Sequence, residues 1–275
     1  MTSPNASTSS RGSRALGIAT AVGLAIYLLF ALVFSPADSG SEASENAMGQ
    51  LVRIMYVHVP VAITCFLAFS VTAFGGVMWL WKKSEAWDLL AAASAQLGVL
   101  FTALTLITGS IWGKIAWGTW WEWDARLTST ALLFVIGCGY LALRRVITDP
   151  IRRARYSAIV GVLAFLDVPV VHYSVDWWRG LHQEATITRF DPTIDGLKLF
   201  ALMLGMVVFL MVYAWLLVHV FRLEWVQARE EELGLDVAIA ERRAEGADQL
   251  PTPPSSGATP TDATPSGPAA AGAPR

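Results

Sequence analysis

Four indoles fall within seven residues in Trp117-Gly118-Thr119-Trp120-Trp121-Glu122-Trp123-Asp124, and the chemistry of the sequence concentrates there. One or two tryptophans suffice to anchor a chain at a membrane interface, because the indole is apolar in body and polar at one edge. Four in a row with an acid among them instead suit a shelf for a flat, apolar, polarisable ligand. The four histidines are His58, His172, His182 and His219. A single histidine is more often structural than a ligand, but three of these four belong to the same side of the molecule as the shelf once the chain is threaded through a membrane. Neutral imidazole is an axial ligand for haem iron, and a bis-His site places one ring on each face of the porphyrin. Haem also carries two propionates at one edge. Lys114, Arg126, Arg53 and Arg179 are candidate partners for them, and Glu122, Asp124 and Asp176 are the acids that could neutralise those cations instead.

The elements that position these residues follow from composition. The chain has 275 residues, of which 54% are hydrophobic and 15% charged, far below the roughly 25% charge of a soluble domain. About 20 apolar residues cross a bilayer core as a helix. Five nearly charge-free runs qualify, at 15–37, 54–81, 89–113, 127–143 and 199–221. A sixth, 156–175, is interrupted only by Asp167 and carries Pro169. The expected fold is therefore all-α, a polytopic membrane protein of six transmembrane helices. Ten-residue segments of alternating polarity are lacking, which excludes a spanning β-barrel.

Lys and Arg set the orientation. With the N-terminus inside, nine lie on the cytoplasmic side before the tail and six outside, and the densest cluster, 144–155, occupies one short inner loop. This predicts an N-in, C-in topology with longer external segments at 35–50, 112–126 and 174–198. Residues 1–14 form a polar start, and the run 15–37 reads as a retained signal anchor. Residues 15–221 form the membrane domain, 222–250 a charged cytoplasmic helix, and 251–275, with seven of the thirteen prolines, a disordered tail. His58 falls at the outer end of the second span, where Pro60 is expected to mark the first helical turn. Asp167 is an acid within a span, a costly placement. It is read as a hydrogen-bonding residue and, with His172, as support for the ligands rather than as a ligand.

Other chemistries are excluded. Net charge −2 provides no basic surface for nucleic acid. There is no phosphate-binding glycine loop and no nucleophile elbow. The two cysteines, Cys65 and Cys138, lie inside spans without metal-ligand spacing and read as small buried hydrophobes.

The tryptophan-rich segment resembles the "WWD" motif of haem-handling membrane proteins. Within that group, four segments together resemble the haem exporter protein C family (CcmC) of cytochrome c maturation: Met55-Tyr56-Val57-His58-Val59-Pro60, Gly109-Ser110-Ile111-Trp112-Gly113-Lys114, the motif itself through Thr128, and the stretch from His172 to Gln183. The similarity covers about residues 51–221. It implies a non-enzymatic protein of the bacterial cytoplasmic membrane that presents haem b on the outer face. His58 and His182 would be the axial ligands of the iron. Trp117, Trp120, Trp121, Trp123 and Asp124, with Lys114 and Arg126 beside them, would hold the haem. The implied partners are the haem chaperone CcmE, the ABC transporter subunits CcmA and CcmB, the small membrane subunit CcmD and the lipid bilayer, with no nucleic acid. Glu122 and Glu184-Ala185 depart from the family's pattern and bear on chaperone docking. The alternatives are a cytochrome c haem lyase subunit of the same superfamily and a bis-His electron-transfer cytochrome b.

Overall fold

A computed structural model describes residues 10–34, 52–178, 180, 182 and 196–248. The polar start before residue 10, the segment 35–50, Arg179, Arg189 and the tail 251–275 lie outside the described residues. All six expected spans are helices: α1 (Arg11–Leu29, closing in a π-helical turn, Phe30–Phe34), α2 (Val52–Lys82), α3 (Glu85–Trp117), α4 (Ala125–Val146), α5 (Pro150–Trp177) and α6 (Gly196–Asp248). Each is long and apolar enough to cross a membrane, and the described residues contain no strand. The chain forms two compact units, Met1–Ala228 and Arg229–Arg275. The charged stretch after residue 221 continues α6 without a break, consistent with a sequence that has no proline between 193 and 250. In the second unit Leu233, Leu235 and Val237 are exposed, and Arg229 pairs with Glu232 one turn on.

Local sequence explains the helix ends. Ser10 and Ser13 form a reciprocal capping box at the start of α1, and Asp149 caps α5 with Pro150 in its first turn. Gly118 ends α3 in the left-handed region, φ 79°, the conformation that glycine adopts at least cost. The expected external segment 112–126 is accordingly shorter than its sequence suggested. α3 stays helical through Trp117, leaving only residues 118–124 between α3 and α4.

α2 packs along α3 and α5, and α4 lies against α3 and α5. One core joins Val61, Cys65, Ala68 and Phe69 of α2 to Leu97 and Phe101 of α3, Leu133 of α4, Ala164 of α5 and Tyr213 of α6. Small residues let the helices approach, as expected where lipid removes the hydrophobic drive between them. A Cβ on Gly76 would sit 3.0 Å from the Ala158 backbone, and Gly98 and Gly137 cup the Phe69 ring. Hydroxyls inside the bundle bond back to carbonyls one turn earlier, as Thr64, Thr72 and Thr102 do. Ser94 on α3 bonds both the Ala68 carbonyl of α2 (2.7 Å) and the Tyr213 hydroxyl of α6 (2.8 Å).

Pro60 does not mark the first turn of α2. The helix begins at Val52, so Pro60 lies two turns inside it. A proline there has no N–H for the carbonyl four residues back and pushes that carbonyl aside. The affected carbonyl is that of Tyr56, and the hydroxyl of Tyr27 on α1 donates a hydrogen bond to it. Tyr27 and Tyr56 are both fully buried, in a second core cluster with Ala31, Ala201, Leu202 and Val208. The hydroxyl therefore supplies a hydrogen bond to the carbonyl that the proline cannot serve.

Candidate functional site

The site is organised by one face of α3. Gly109, Gly113 and Trp117 recur at four-residue spacing, so they line up along the helix. At Gly109 the imidazole of His58 from α2 lies so close that a Cβ would meet its Cε1 at 3.1 Å. Side chains lean toward the N-terminus of their helix, and the Trp117 indole folds back over Gly113, 3.2 Å from the position a Cβ would take. His182 packs edge-on against Trp117, with ring centroids 4.8 Å apart. His58 packs edge-on against Trp112 at 5.9 Å. The end of α3 thus brings together His58, Trp112, Trp117 and His182, whose positions in sequence span more than 120 residues.

Both imidazoles are held by the same nitrogen. His58 Nδ1 is 2.9 Å from Thr108 Oγ1. The Thr108 hydroxyl donates to the Leu104 carbonyl at 2.8 Å. Its oxygen therefore accepts from His58 Nδ1–H, and the lone pair of His58 lies on Nε2. His182 Nδ1 is 2.6 Å from Asp124 Oδ2. A carboxylate accepts, so His182 also carries its proton on Nδ1 and its lone pair on Nε2. Burial pushes the His182 imidazolium below the usual histidine range, while the hydrogen bond to Asp124 pulls the other way. The net direction favours a neutral ring. Two neutral imidazoles with Nδ1 anchored and Nε2 available form the donor arrangement of metal-ligating histidines.

Asp124 has a second task. Its Oδ1 accepts from the Leu127 N–H at 2.7 Å and caps α4. The turn that starts α4 and the contact that aims His182 therefore depend on one carboxylate. A Cβ on Gly180 would lie 3.4 Å from its Oδ2.

The motif tryptophans divide by exposure. Trp117 and Trp121 are half-buried, and Trp121 is fixed by a T-shaped contact with Trp123 at 5.5 Å. Trp121 Nε1 is buried with no hydrogen-bond partner among the described residues. Trp120 and Trp123 are 59% and 81% exposed, and Trp177 and Trp178 at the end of α5 are exposed as well. Tyr173 stacks on Trp177, interplanar angle 28°. Of the four motif indoles, two are half-buried and two exposed.

Two of the expected cations, Lys114 and Arg126, bond to backbone carbonyls. Lys114 Nζ donates to the Gly118 carbonyl at 2.9 Å, closing α3, and lies 6.0 Å from the Trp120 ring centre. Arg126 Nη2 donates to the His172 carbonyl at 3.0 Å, tying α4 to the end of α5. Arg53 Nε is buried without a partner among the described residues. The His172 ring contacts Phe66 and Tyr173, and no described contact joins it to Asp167. Asp167 is 9% exposed, and its Oδ2 has no hydrogen-bond partner among the described residues. His219 packs against Trp215 on α6. Thr108, Gly109 and Gly113 were not singled out from sequence as site residues. The signal was two glycines spaced four apart immediately before the tryptophan motif, on a helix expected to end there.

These donors fit iron carried in a macrocycle better than a bare ion. A bare transition metal takes three or four protein ligands, and no group of three or more His, Cys, Asp or Glu side chains converges among the described residues. Two imidazoles and a set of indoles would suit a metal held in a flat ring that supplies its other ligands.

Comparison with known proteins gives the family. The family model described as "Heme exporter protein C" matches residues 3–235. A Heme exporter protein C of Haemophilus influenzae is 38% identical over 225 residues, covering 78% of this chain and 88% of the relative. One from Bradyrhizobium diazoefficiens is 36% identical over 200 residues, covering 71% and 75%. One from Escherichia coli K12 is 39% identical over 183 residues, covering 66% and 70%. With six helices able to span a membrane, His58 and His182 gathered with the tryptophan motif at one end of α3, and a family match over most of its length, the chain belongs to the Heme exporter protein C family.

Proposed function

We propose that this protein binds haem b between His58 and His182 and presents it to the haem chaperone CcmE on the outer face of the bacterial cytoplasmic membrane. A role in haem handling for cytochrome c maturation follows from family membership. The finer reading is carried by one observation: His58 and His182 are each anchored through Nδ1, by Thr108 and Asp124, and each packs against the α3 face Gly109-Gly113-Trp117. When bound, the haem supplies the iron and the reactive vinyl groups. The chain's own residues orient the two ligands, lay indoles against the ring and keep water from its buried side. Lys114 and Arg126 are the cations nearest the motif in sequence and are proposed to meet the propionates. The exposed rim of Trp120 and Trp123 is proposed as the chaperone's docking surface.

In this reading the protein makes no covalent bond itself. Its chemistry is ligation and hand-over, with ATP hydrolysis in CcmA and CcmB and a small subunit, CcmD, completing the assembly. The Lys and Arg distribution supports an N-in, C-in orientation, in which the histidine and tryptophan end faces outside.

The test is haem content and spectrum of the purified full chain. Wild type should carry b-type haem with a low-spin bis-His spectrum, and His58→Ala or His182→Ala should lose or weaken it. Normal low-spin haem in both variants would overturn the ligand assignment. For docking, Trp120→Ala with Trp123→Ala should abolish haem-dependent co-purification with the chaperone while the haem spectrum persists.

A further inference from the structure

We propose that Tyr27 of the first helix is a positioning residue for His58, acting through the Tyr56 carbonyl that Pro60 leaves without its helical donor. This rests on the reading of His58 as an axial ligand.

His58 stands in the middle of the turn 56–60, the one turn of α2 that the 60→56 hydrogen bond cannot close, because residue 60 is proline. The bond that closes it comes from another helix, from the Tyr27 hydroxyl to the Tyr56 carbonyl. The height and tilt of the ligand-bearing turn are therefore fixed by α1, while Thr108 on α3 fixes only the rotation of the ring.

Packing alone does not account for the hydroxyl. The Tyr27 ring meets Phe209 edge-on at 6.2 Å and fills the space above Gly205, contacts that phenylalanine would make equally well. Nor does α1 need the hydroxyl to stay in place, since it also packs through Gly17 against Trp215 and through Gly23 against Val208. A fully buried phenol oxygen inside a membrane bundle is costly unless bonded, and the bond it makes is to the carbonyl displaced by Pro60. α6 makes room for the arrangement. A Cβ on Gly205 would fall 2.8 Å from Tyr27 Cε2 and 3.1 Å from Pro60 Cγ, so three helices converge on the joint that carries His58.

The experiment compares the full chain with Tyr27→Phe in ferric spin state and haem dissociation rate after loading with haem. Tyr27→Phe should convert part of the low-spin spectrum to a high-spin form with one ligand detached. Dissociation should quicken roughly three- to tenfold, the fold-change of one hydrogen bond. Gly205→Ala, which displaces the Tyr27 ring without removing its hydroxyl, should give the same spectral change. Pro60→Ala restores an N–H for the Tyr56 carbonyl, so adding it to Tyr27→Phe should recover the low-spin fraction, a rescue that a merely structural tyrosine would not show. Wild-type spin state and dissociation in Tyr27→Phe, with loss in His58→Ala in the same assay, would overturn the role of Tyr27 and leave the ligand reading standing. Retention of low-spin haem by His58→Ala would overturn the ligand reading itself, and this proposal with it.

Discussion

Asp124 serves His182 and α4 at once, through its two oxygens: Oδ2 accepts from His182 Nδ1 at 2.6 Å, and Oδ1 accepts from the Leu127 N–H at 2.7 Å. The two tasks separate by substitution. Asparagine caps a helix about as well as aspartate, but its neutral amide is a weaker partner for Nδ1–H and can present its own NH2 instead. Asp124→Asn should therefore keep thermal stability near wild type while haem affinity drops by about 10- to 100-fold, the usual effect of losing a ligand's supporting bond. Asp124→Ala should show the same loss and in addition about 1 kcal/mol of destabilisation from the missing cap. Haem titration and thermal unfolding of the two variants check this. Equal affinity in wild type and Asp124→Asn would mean that the carboxylate does not aim His182.

Burial of His182 has a consequence in pH. Its folded-state pKa lies below the ordinary value of 6.5. Above that value the ring is neutral in both folded and unfolded chains and adds no pH dependence. As pH falls below 6.5 the unfolded chain takes up the proton first, so the haem-free protein loses stability until the folded ring also protonates. His182→Gln should flatten this acid limb. Urea or thermal midpoints measured from pH 7.5 to 5 distinguish the outcomes, and an unchanged slope in the variant would assign the acid sensitivity elsewhere.

Thr108 fixes the tautomer of His58 by accepting from Nδ1 while donating to Leu104. Valine has nearly the same shape and no acceptor. Thr108→Val should lower haem affinity by about tenfold or more, with Thr108→Ser restoring most of it. The readout is haem affinity together with reduction potential, because a ligand freed from its Nδ1 bond is less basic and shifts the iron's potential, whereas a simple packing defect does not.

How far the sequence revealed this arrangement can be seen residue by residue. The six spans were legible because hydropathy over about 20 residues is a property of the run itself. Trp117, Asp124, His58 and His182 were legible as a set because their side-chain types are scarce and chemically pointed. Thr108 was not, since a threonine in an apolar helix carries no signal until the neighbouring helix is known, and Gly109 showed only as one of two glycines spaced four apart before the tryptophan motif. Pro60 misled for a related reason. Proline ordinarily marks a helix start, and only the Tyr27 hydroxyl, some thirty residues earlier in the chain, makes it tolerable two turns inside α2.

Gly109 gives a prediction in which stability and binding move in opposite directions. Replacing a helical glycine by alanine stabilises by up to about 1 kcal/mol through propensity. Here the new Cβ would lie 3.1 Å from His58 Cε1, and the ring is pinned by Thr108 and cannot yield freely. Gly109→Ala should therefore hold or raise the unfolding temperature while weakening haem binding by roughly tenfold, about 1.4 kcal/mol. Binding unchanged from wild type would show that the imidazole has room to shift.

At the opposite end of α3, Asp88 and Arg144 form a two-pronged ion pair, 2.7 and 2.9 Å, with both side chains only 11% exposed. Asp88 is in the first turn of α3 and Arg144 in the last turn of α4, so the pair joins the ends of those helices farthest from the histidines. Removing one partner leaves the other charge buried and uncompensated, which costs about 3–5 kcal/mol, whereas removing both costs far less. Asp88→Asn should sharply lower the unfolding temperature, and Asp88→Asn with Arg144→Met should recover much of it. Neither change should alter the spectrum of bound haem, because the α3 face that holds His58 and Trp117 begins about 30 Å further along the helix at 1.5 Å per residue. A changed spectrum in folded Asp88→Asn protein would mean that the two ends of α3 do not behave independently.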